Sequence, residues 1–345
     1  MLRKYSYAAF TLILSFLLSA CGAAAGIAPT AAPAPTAAPA PTAAPTAMPA
    51  PTAAPTAAVA PTIAPAAAPT TITDVAGRTV TIAGVPQRII SLAPSNTEIL
   101  FALGLGPRTI AVDDFSDYPA EAKSLPKIGG SGGKYNFEQI VALQPDLVLV
   151  AGLTPPEAIK QLEDLKLTVV VANTAETTFE SILTDIALVG QITGRMSEAE
   201  QLTGAMRQRF EAIKAKAAAS TKPRVYWELD ATDAAKPYTV GPGNFVNDLI
   251  AVAGGANVFS AVDSPYSQVG LEQVAAANPE VIILSDAAYG ITVESVLARP
   301  GWGTIEAVKQ KRVYPIDDNL VSRPGPRIVD GLEAVAKLVH PELFP

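Results

Sequence analysis

The chain has 345 residues, a formal net charge of −7, one cysteine and one histidine. Arg3 and Lys4 are the only charged residues before Asp74, so the rest of the chain carries 23 basic and 32 acidic residues, a net charge of −9. Phosphate backbones require clustered positive charge, which excludes nucleic acid as a partner. One cysteine excludes an internal disulfide. The scarcity of His and Cys argues against tight binding of a bare transition metal, so no metal site and no resident cofactor are expected.

Residues 1–20 read as a signal peptide. Arg3 and Lys4 form a basic start, and Ala8 to Ala20 is apolar except for Thr11, Ser15 and Ser19. The stretch is shorter than the roughly 20 apolar residues of a spanning helix. It ends Leu18-Ser19-Ala20-Cys21-Gly22, which resembles the lipobox of bacterial lipoproteins. That resemblance implies lipidation of Cys21 and a chain held outside the cytoplasm, reaching the membrane through its lipid alone. Residues 21–70 form a linker after that cysteine, and from Pro29 to about Pro69 it is a low-complexity tract of Ala, Pro and Thr, some 40 residues without charge or hydrophobic period. Such a tract favours polyproline II at about 3.1 Å per residue, a spacer reaching on the order of 120 Å.

The folded part is expected in three pieces: an N-terminal lobe over 71–175, a connecting helical region over 176–221, and a C-terminal lobe over 222–345. Residues 71–82 alternate as a small hairpin or an edge strand, with Gly77 at the turn. Arg88 to Leu92 reads as a strand, and Pro94 to Glu98 opens a helix. Ser95 and Glu98 have the spacing of a capping box, and that is the role assigned to Glu98. Thr109 to Val112, Leu147 to Ala151 and Thr168 to Val171 read as further strands. Strands alternating with helices imply a mostly parallel sheet. Phe179 to Ser220 is predominantly helical, with a second capping box at Ser197 and Glu200. The C-terminal lobe restarts at Arg224 to Leu229 and ends in a helix over 328–339.

Two stretches are near copies of each other. Phe137-Glu138-Gln139-Ile140-Val141-Ala142-Leu143-Gln144-Pro145-Asp146-Leu147-Val148-Leu149-Val150 matches Leu271-Glu272-Gln273-Val274-Ala275-Ala276-Ala277-Asn278-Pro279-Glu280-Val281-Ile282-Ile283-Leu284. Each reads as a short helix, a proline turn and a buried strand. The repeat predicts two similar α/β lobes carrying Glu138 and Glu272 at matching places.

No catalytic constellation emerges. His340, near the chain end, is read as a surface residue rather than part of a triad. The run Gly129 to Lys134 lacks the spacing and leading strand of a phosphate loop. Asp113, Asp114, Asp117, Asp317 and Asp318 follow predicted strands, the edge where open α/β sheets bind ligands, yet no pair has a spacing that identifies a reaction. The same edge collects Phe115, Tyr118, Tyr135, Trp227, Tyr238, Tyr266, Asn319 and Arg323. Aromatic side chains with a few polar groups suit a large, flat or chelated ligand.

Residues 72–345 resemble the Fe/B12 periplasmic-binding family, the substrate-binding proteins of ABC importers for vitamin B12, ferric siderophores and haem. The resemblance is carried by Ile89 to Glu98, Ser116 to Pro119, Asn136 to Glu138 with Pro145 to Val148, Tyr238 to Gly241, and Ser322 to Arg327. It implies two Rossmann-like lobes with mostly parallel sheets, joined by one long helix, and a ligand cleft between them. It implies a monomer that is not an enzyme and that hands a metal chelate to a permease dimer with its ATPase. Glu138 and Glu272 would meet arginines of the two permease subunits, or else stabilise helix N-termini. Gly132 and Ala151 stand where the vitamin B12-binding members have tryptophan, and Asn319 where they have aspartate. A corrinoid, a ferric siderophore and haem therefore stay open. A surface sensor or adhesion module on the same lobes is the alternative from another class.

Overall fold

The computed structural model describes residues 68–173 and 177–345. The expected signal peptide, the lipidation site Cys21 and the Ala/Pro/Thr tract up to residue 67 lie outside them.

The first described element is an antiparallel hairpin of β1 (Thr70–Thr73) and β2 (Thr79–Ile82). The turn reaches φ +76° at Gly77, a conformation open to glycine. The Asp74 carboxylate organises it by accepting from the N–H groups of Ala76 and Arg78, and it also accepts from Val171 of the neighbouring sheet.

The N-terminal lobe then alternates β3 (Ile89–Ser91), α1 (Pro94–Ala102), β4 (Thr109–Val112), α2 (Phe137–Ala142), β5 (Leu147–Val150), α3 (Pro156–Asp164) and β6 (Val169–Val171). Its four strands are parallel in the order β4-β3-β5-β6. Nearly every strand residue is buried, because helices cover both faces. The period-2 alternation divides the strands between two cores. Ile89, Leu147, Leu149 and Val170 face one core; Ile90, Val148, Val150 and Val171 face the other, which Ile140 of α2 and Leu162 of α3 complete.

Two helices follow, α4 (Phe179–Thr193) and α5 (Met196–Ala217). The chain is thus carried into the second lobe by a 22-residue helix, as expected of a long connector, but a separate helix precedes it. Gly194 at φ +71° separates them. α4 opens on a capping box between Thr178 and Ser181. The box expected at Ser197 and Glu200 does not form: Arg195 is the N-cap, so α5 starts two residues earlier than expected and places Ser197 inside the first turn. α4 packs on α1, whereas α5 packs on helices of the second lobe.

The C-terminal lobe contains β7 (Arg224–Glu228), β8 (Tyr238–Val240), α6 (Phe245–Val252), β9 (Ala256–Asn257), β10 (Tyr266–Gln268), α7 (Leu271–Ala277), β11 (Val281–Leu284), α8 (Val293–Leu297), α9 (Glu306–Lys309), β12 (Val313–Pro315), α10 (Asp318–Val321) and α11 (Ile328–Val339). Its parallel sheet runs β12-β11-β7-β9, and β8 pairs with β10 in an antiparallel ribbon. Both sheets share one topology. In each, the lobe's first strand lies between its second and third, and the fourth lies outside the third.

The sequence repeat occupies equivalent places, α2–β5 and α7–β11, and the equivalence extends to atoms. Gln144 and Asn278 both turn with positive φ, 48° and 44°. The next carboxylates clamp the start of the lobe's first strand. Asp146 accepts from the N–H groups of Gln87 and Arg88 at 2.7 and 2.9 Å, and Glu280 accepts from that of Arg224 at 2.9 Å. The side chains of Arg88 and Arg224 donate back to the carbonyls of Gln144 and Asn278.

One core runs through both lobes. It joins the α1- and α4-facing side of the first sheet to Val225, Trp227, Val281 and Ile283 of the second, through α5, α6 and α11. His340 belongs to this packing and is not a surface residue. It is buried at the end of α11, with Nδ1 2.8 Å from Glu342 and Nε2 3.0 Å from the Ser220 hydroxyl. There it ties the final helix to the end of α5. Among the described residues, no helix is long and apolar enough to cross a membrane.

Candidate ligand-binding cleft

Because both sheets are parallel, the loops leaving their C-terminal edges converge. They enclose a cleft of about 690 Å³, walled by both lobes. Leu92, Asp113, Ala151 and Asn173 line it from just beyond β3, β4, β5 and β6; Tyr289, Asp318 and Asn319 line it from beyond β11 and β12.

Asp113 shapes the first wall. Its buried carboxylate accepts from the N–H of Phe115 at 3.0 Å and from the Ser116 hydroxyl. This tight turn sends Phe115 outward, 53% exposed and into the cleft. Ser116 is held in turn by Thr97 at 2.7 Å, and Thr97 donates to Ser91 at 2.8 Å. Burial pushes the Asp113 carboxyl above its ordinary range, against the hydrogen bonds from Ser116 and Phe115 and the charge of Lys127. Beside it, Gly130 lies at φ +120°, where a Cβ would sit 3.3 Å from that of Asp113. Tyr135 stands half-buried next to this turn, edge-on to Phe137.

From the second lobe, the β8–β10 ribbon places Tyr266 opposite Val240 and leaves its ring 58% exposed at the cleft. Tyr289, 79% exposed, reaches the same space. Asp317 caps α10 by accepting from the N–H of Asn319 at 3.0 Å, which sets Asn319 on the cleft wall.

The two lobes are ion-paired beside the cleft. Glu98 of α1 accepts from Nε and Nη2 of Arg327 at 2.9 and 2.6 Å, and Arg323 stands 3.6 Å away. Arg323 also donates to Asp117 at 2.6 Å and to the Phe115 carbonyl at 3.2 Å. Arg327 lies over the Tyr118 ring, 3.9 Å from its centre. Glu98 therefore does not cap its helix. Pro94 takes the first helical position after Ala93, no side chain caps α1, and Glu98 turns to the other lobe.

Five of the residues expected in the cleft line it: Phe115, Tyr135, Tyr266, Asn319 and Arg323. Three do not. Trp227 is completely buried in the middle of β7, where strand alternation points it into the shared core and its indole N–H donates to Ser285 at 3.1 Å. Tyr118 lines a separate groove of about 770 Å³ with Phe101, Pro107 and Leu125. Tyr238 pairs with Gln268 at the other end of the ribbon from Tyr266. Asn173, Tyr289 and Leu153 also line the cleft and are not among the residues the sequence singled out. Tyr289 carries a legible signal, an aromatic shortly after a predicted strand and before Gly290. Asn173 is 2% exposed, and among the described residues its side-chain nitrogen has no hydrogen-bond partner. Among the described residues, no group of three His, Cys, Asp or Glu side chains could hold a metal ion.

Glu138 and Glu272 are exposed in the first turns of α2 and α7. Crossover helices run back against their strands, so these first turns lie on the cleft side of each lobe.

Comparison with known proteins agrees with this architecture. Residues 89–320 match the periplasmic binding protein family. The chain is 35% identical over 259 residues to YvrC, an uncharacterised ABC transporter substrate-binding lipoprotein of Bacillus subtilis, covering 73% of this chain and 80% of that one. It is 33% identical over 250 residues to the vitamin B12-binding protein of Vibrio campbellii, covering 71% and 86%. The solved periplasmic haem-binding protein RhuT of Roseiflexus superposes with a TM-score of 0.67 at 28% identity, over 74% of this chain and 98% of that one. Each of these is named as a binding protein, and the chain belongs to the periplasmic binding protein family.

Proposed function

We propose that this chain is the solute-binding lipoprotein of an ABC importer, capturing a metal chelate in its cleft and delivering it to the permease. The observation that carries the reading is the cleft itself. Phe115, Tyr266 and Tyr289 expose large rings into one space between the lobes. Exposed aromatic surface of that size is costly in water unless something covers it. Relatives named for vitamin B12 and for haem, both large metal chelates, point to the same class of occupant.

The delivery step rests on symmetry. Glu138 and Glu272 hold equivalent positions on equivalent lobes, which suits a partner built from two like subunits. Exposed ion pairs contribute only about 0–1 kcal/mol each, so these charges set register more than affinity. In this reading Cys21 carries the lipid, the Ala/Pro/Thr tract is the tether, the protein works as a monomer, and it catalyses nothing.

The test is the double variant Glu138→Ala with Glu272→Ala in cells. Uptake of the chelate is lost, while the purified variant binds it as before. Normal uptake removes the docking role, and lost binding moves these glutamates into the cleft.

A further inference from the structure

We infer that the cleft selects chelates of zero or positive net charge and rejects anionic ones. The inference rests on the chelate-binding reading above and concerns which chelates fit.

The polar groups of the wall carry the argument. Asp113 and Asp318 line the cleft, and Arg323 is the one Lys or Arg among the described residues that does so. Arg323 is already committed. Its Nη1 donates to Asp117 at 2.6 Å, its Nη2 donates to the Phe115 carbonyl at 3.2 Å, and its side chain is only 12% exposed. The other nearby guanidinium, Arg327, is held in two hydrogen bonds by Glu98 and lines the neighbouring groove instead. An anionic ligand therefore meets Asp113 and Asp318 with no uncommitted Lys or Arg among the described lining residues. It would have to break an ion pair between the lobes to obtain one.

The second observation is Asn173. Its amide nitrogen is buried on the cleft wall, and among the described residues it has no acceptor. An unpaired buried donor is costly, and a neutral carbonyl, amide or hydroxamate oxygen satisfies it without bringing charge. Burial also raises the carboxyls of Asp113 and Asp318. These are the marks of a poorly hydrated wall, where like charges repel more strongly than in water.

The experiment is calorimetric titration of the full-length chain in detergent with five probes. They are cyanocobalamin, a linear ferric trihydroxamate with a free amine, the same chelate succinylated, a ferric tris-catecholate and haem. The expected result is that a neutral or cationic probe binds tightest. The tris-catecholate binds at least about 100-fold more weakly, as expected for three like charges in a medium of reduced dielectric, and the gap narrows as salt is raised. Asp318→Lys shifts the ratio toward the anionic probes by about tenfold. An anionic probe binding tightest overturns the inference and leaves the chelate-binding reading standing. An unchanged ratio in Asp318→Lys also overturns it, since shape would then do the selecting. Failure of all five probes overturns both.

Discussion

The contact most exposed to a direct test is the ion pair between Glu98 and Arg327, because it joins the lobes and is nearly dry. The Glu98 side chain is 2% exposed and that of Arg327 15%. Glu98→Gln keeps the shape and one acceptor oxygen. It removes the charge that faces two guanidinium groups, Arg327 at 2.6 Å and Arg323 at 3.6 Å. Breaking a buried pair by removing one partner costs about 3–5 kcal/mol. The partial exposure of Arg327 places this case near the lower end, about 3 kcal/mol. At about 2–4 °C per kcal/mol for a chain of this size, the melting temperature falls by about 6–12 °C. Urea unfolding and thermal scans of wild type, Glu98→Gln, Arg327→Met and the double variant Glu98→Leu with Arg327→Met read the effect. The double variant recovers most of the loss, since two apolar groups leave no uncompensated charge. A loss below about 1 kcal/mol in Glu98→Gln, the range of solvated surface pairs, refutes the reasoning.

Two further predictions concern the second lobe. Burial, and then the neighbouring Glu228 carboxylate, raise the Asp286 carboxyl to about 6. A folded-state value above the unfolded one means stability is fully present below about pH 4 and is lost as pH rises through about 6, on the order of 3 kcal/mol in all. Asp286→Asn keeps an acceptor for the Ala231 N–H and flattens that dependence; urea titrations at pH 4.5 and 7.5 that still differ by the wild-type amount contradict the assignment. Trp227→Phe removes the hydrogen bond to Ser285 and some core volume, costing about 1–3 kcal/mol, while chelate affinity changes less than twofold. A large affinity loss without destabilisation would return Trp227 to the cleft.

The fold was legible because its signals are local. Strands of a covered parallel sheet are short continuous apolar runs, and the repeat at 137–150 and 271–284 declared two like lobes in advance. The failures share a cause: a residue's type was visible and its direction was not. Trp227 looked like a cleft aromatic, but alternation within β7 turns it into the core. Glu98 had the spacing of a cap, but Pro94 shifted the helix start and its true partner is 229 residues away. His340 stood near a terminus and was read as exposed, yet it is the buried end of α11. Asn173 had no signal at all, because an unpaired amide is a property of its surroundings. Phe115, Tyr135 and Tyr266 were found because each belongs to a loop or ribbon beyond a strand end, where side chains are free to meet a ligand.

The central claim, that the cleft between the lobes holds a metal chelate, is tested most directly by titrating corrinoid, ferric siderophore and haem probes into wild type and into Phe115→Ala with Tyr266→Ala. Wild type is expected to bind at least one chelate at about micromolar strength or better. The variant is expected to bind it at least about tenfold more weakly, from the ring surface lost on both walls. No binding by wild type, or equal binding by the variant, contradicts the claim.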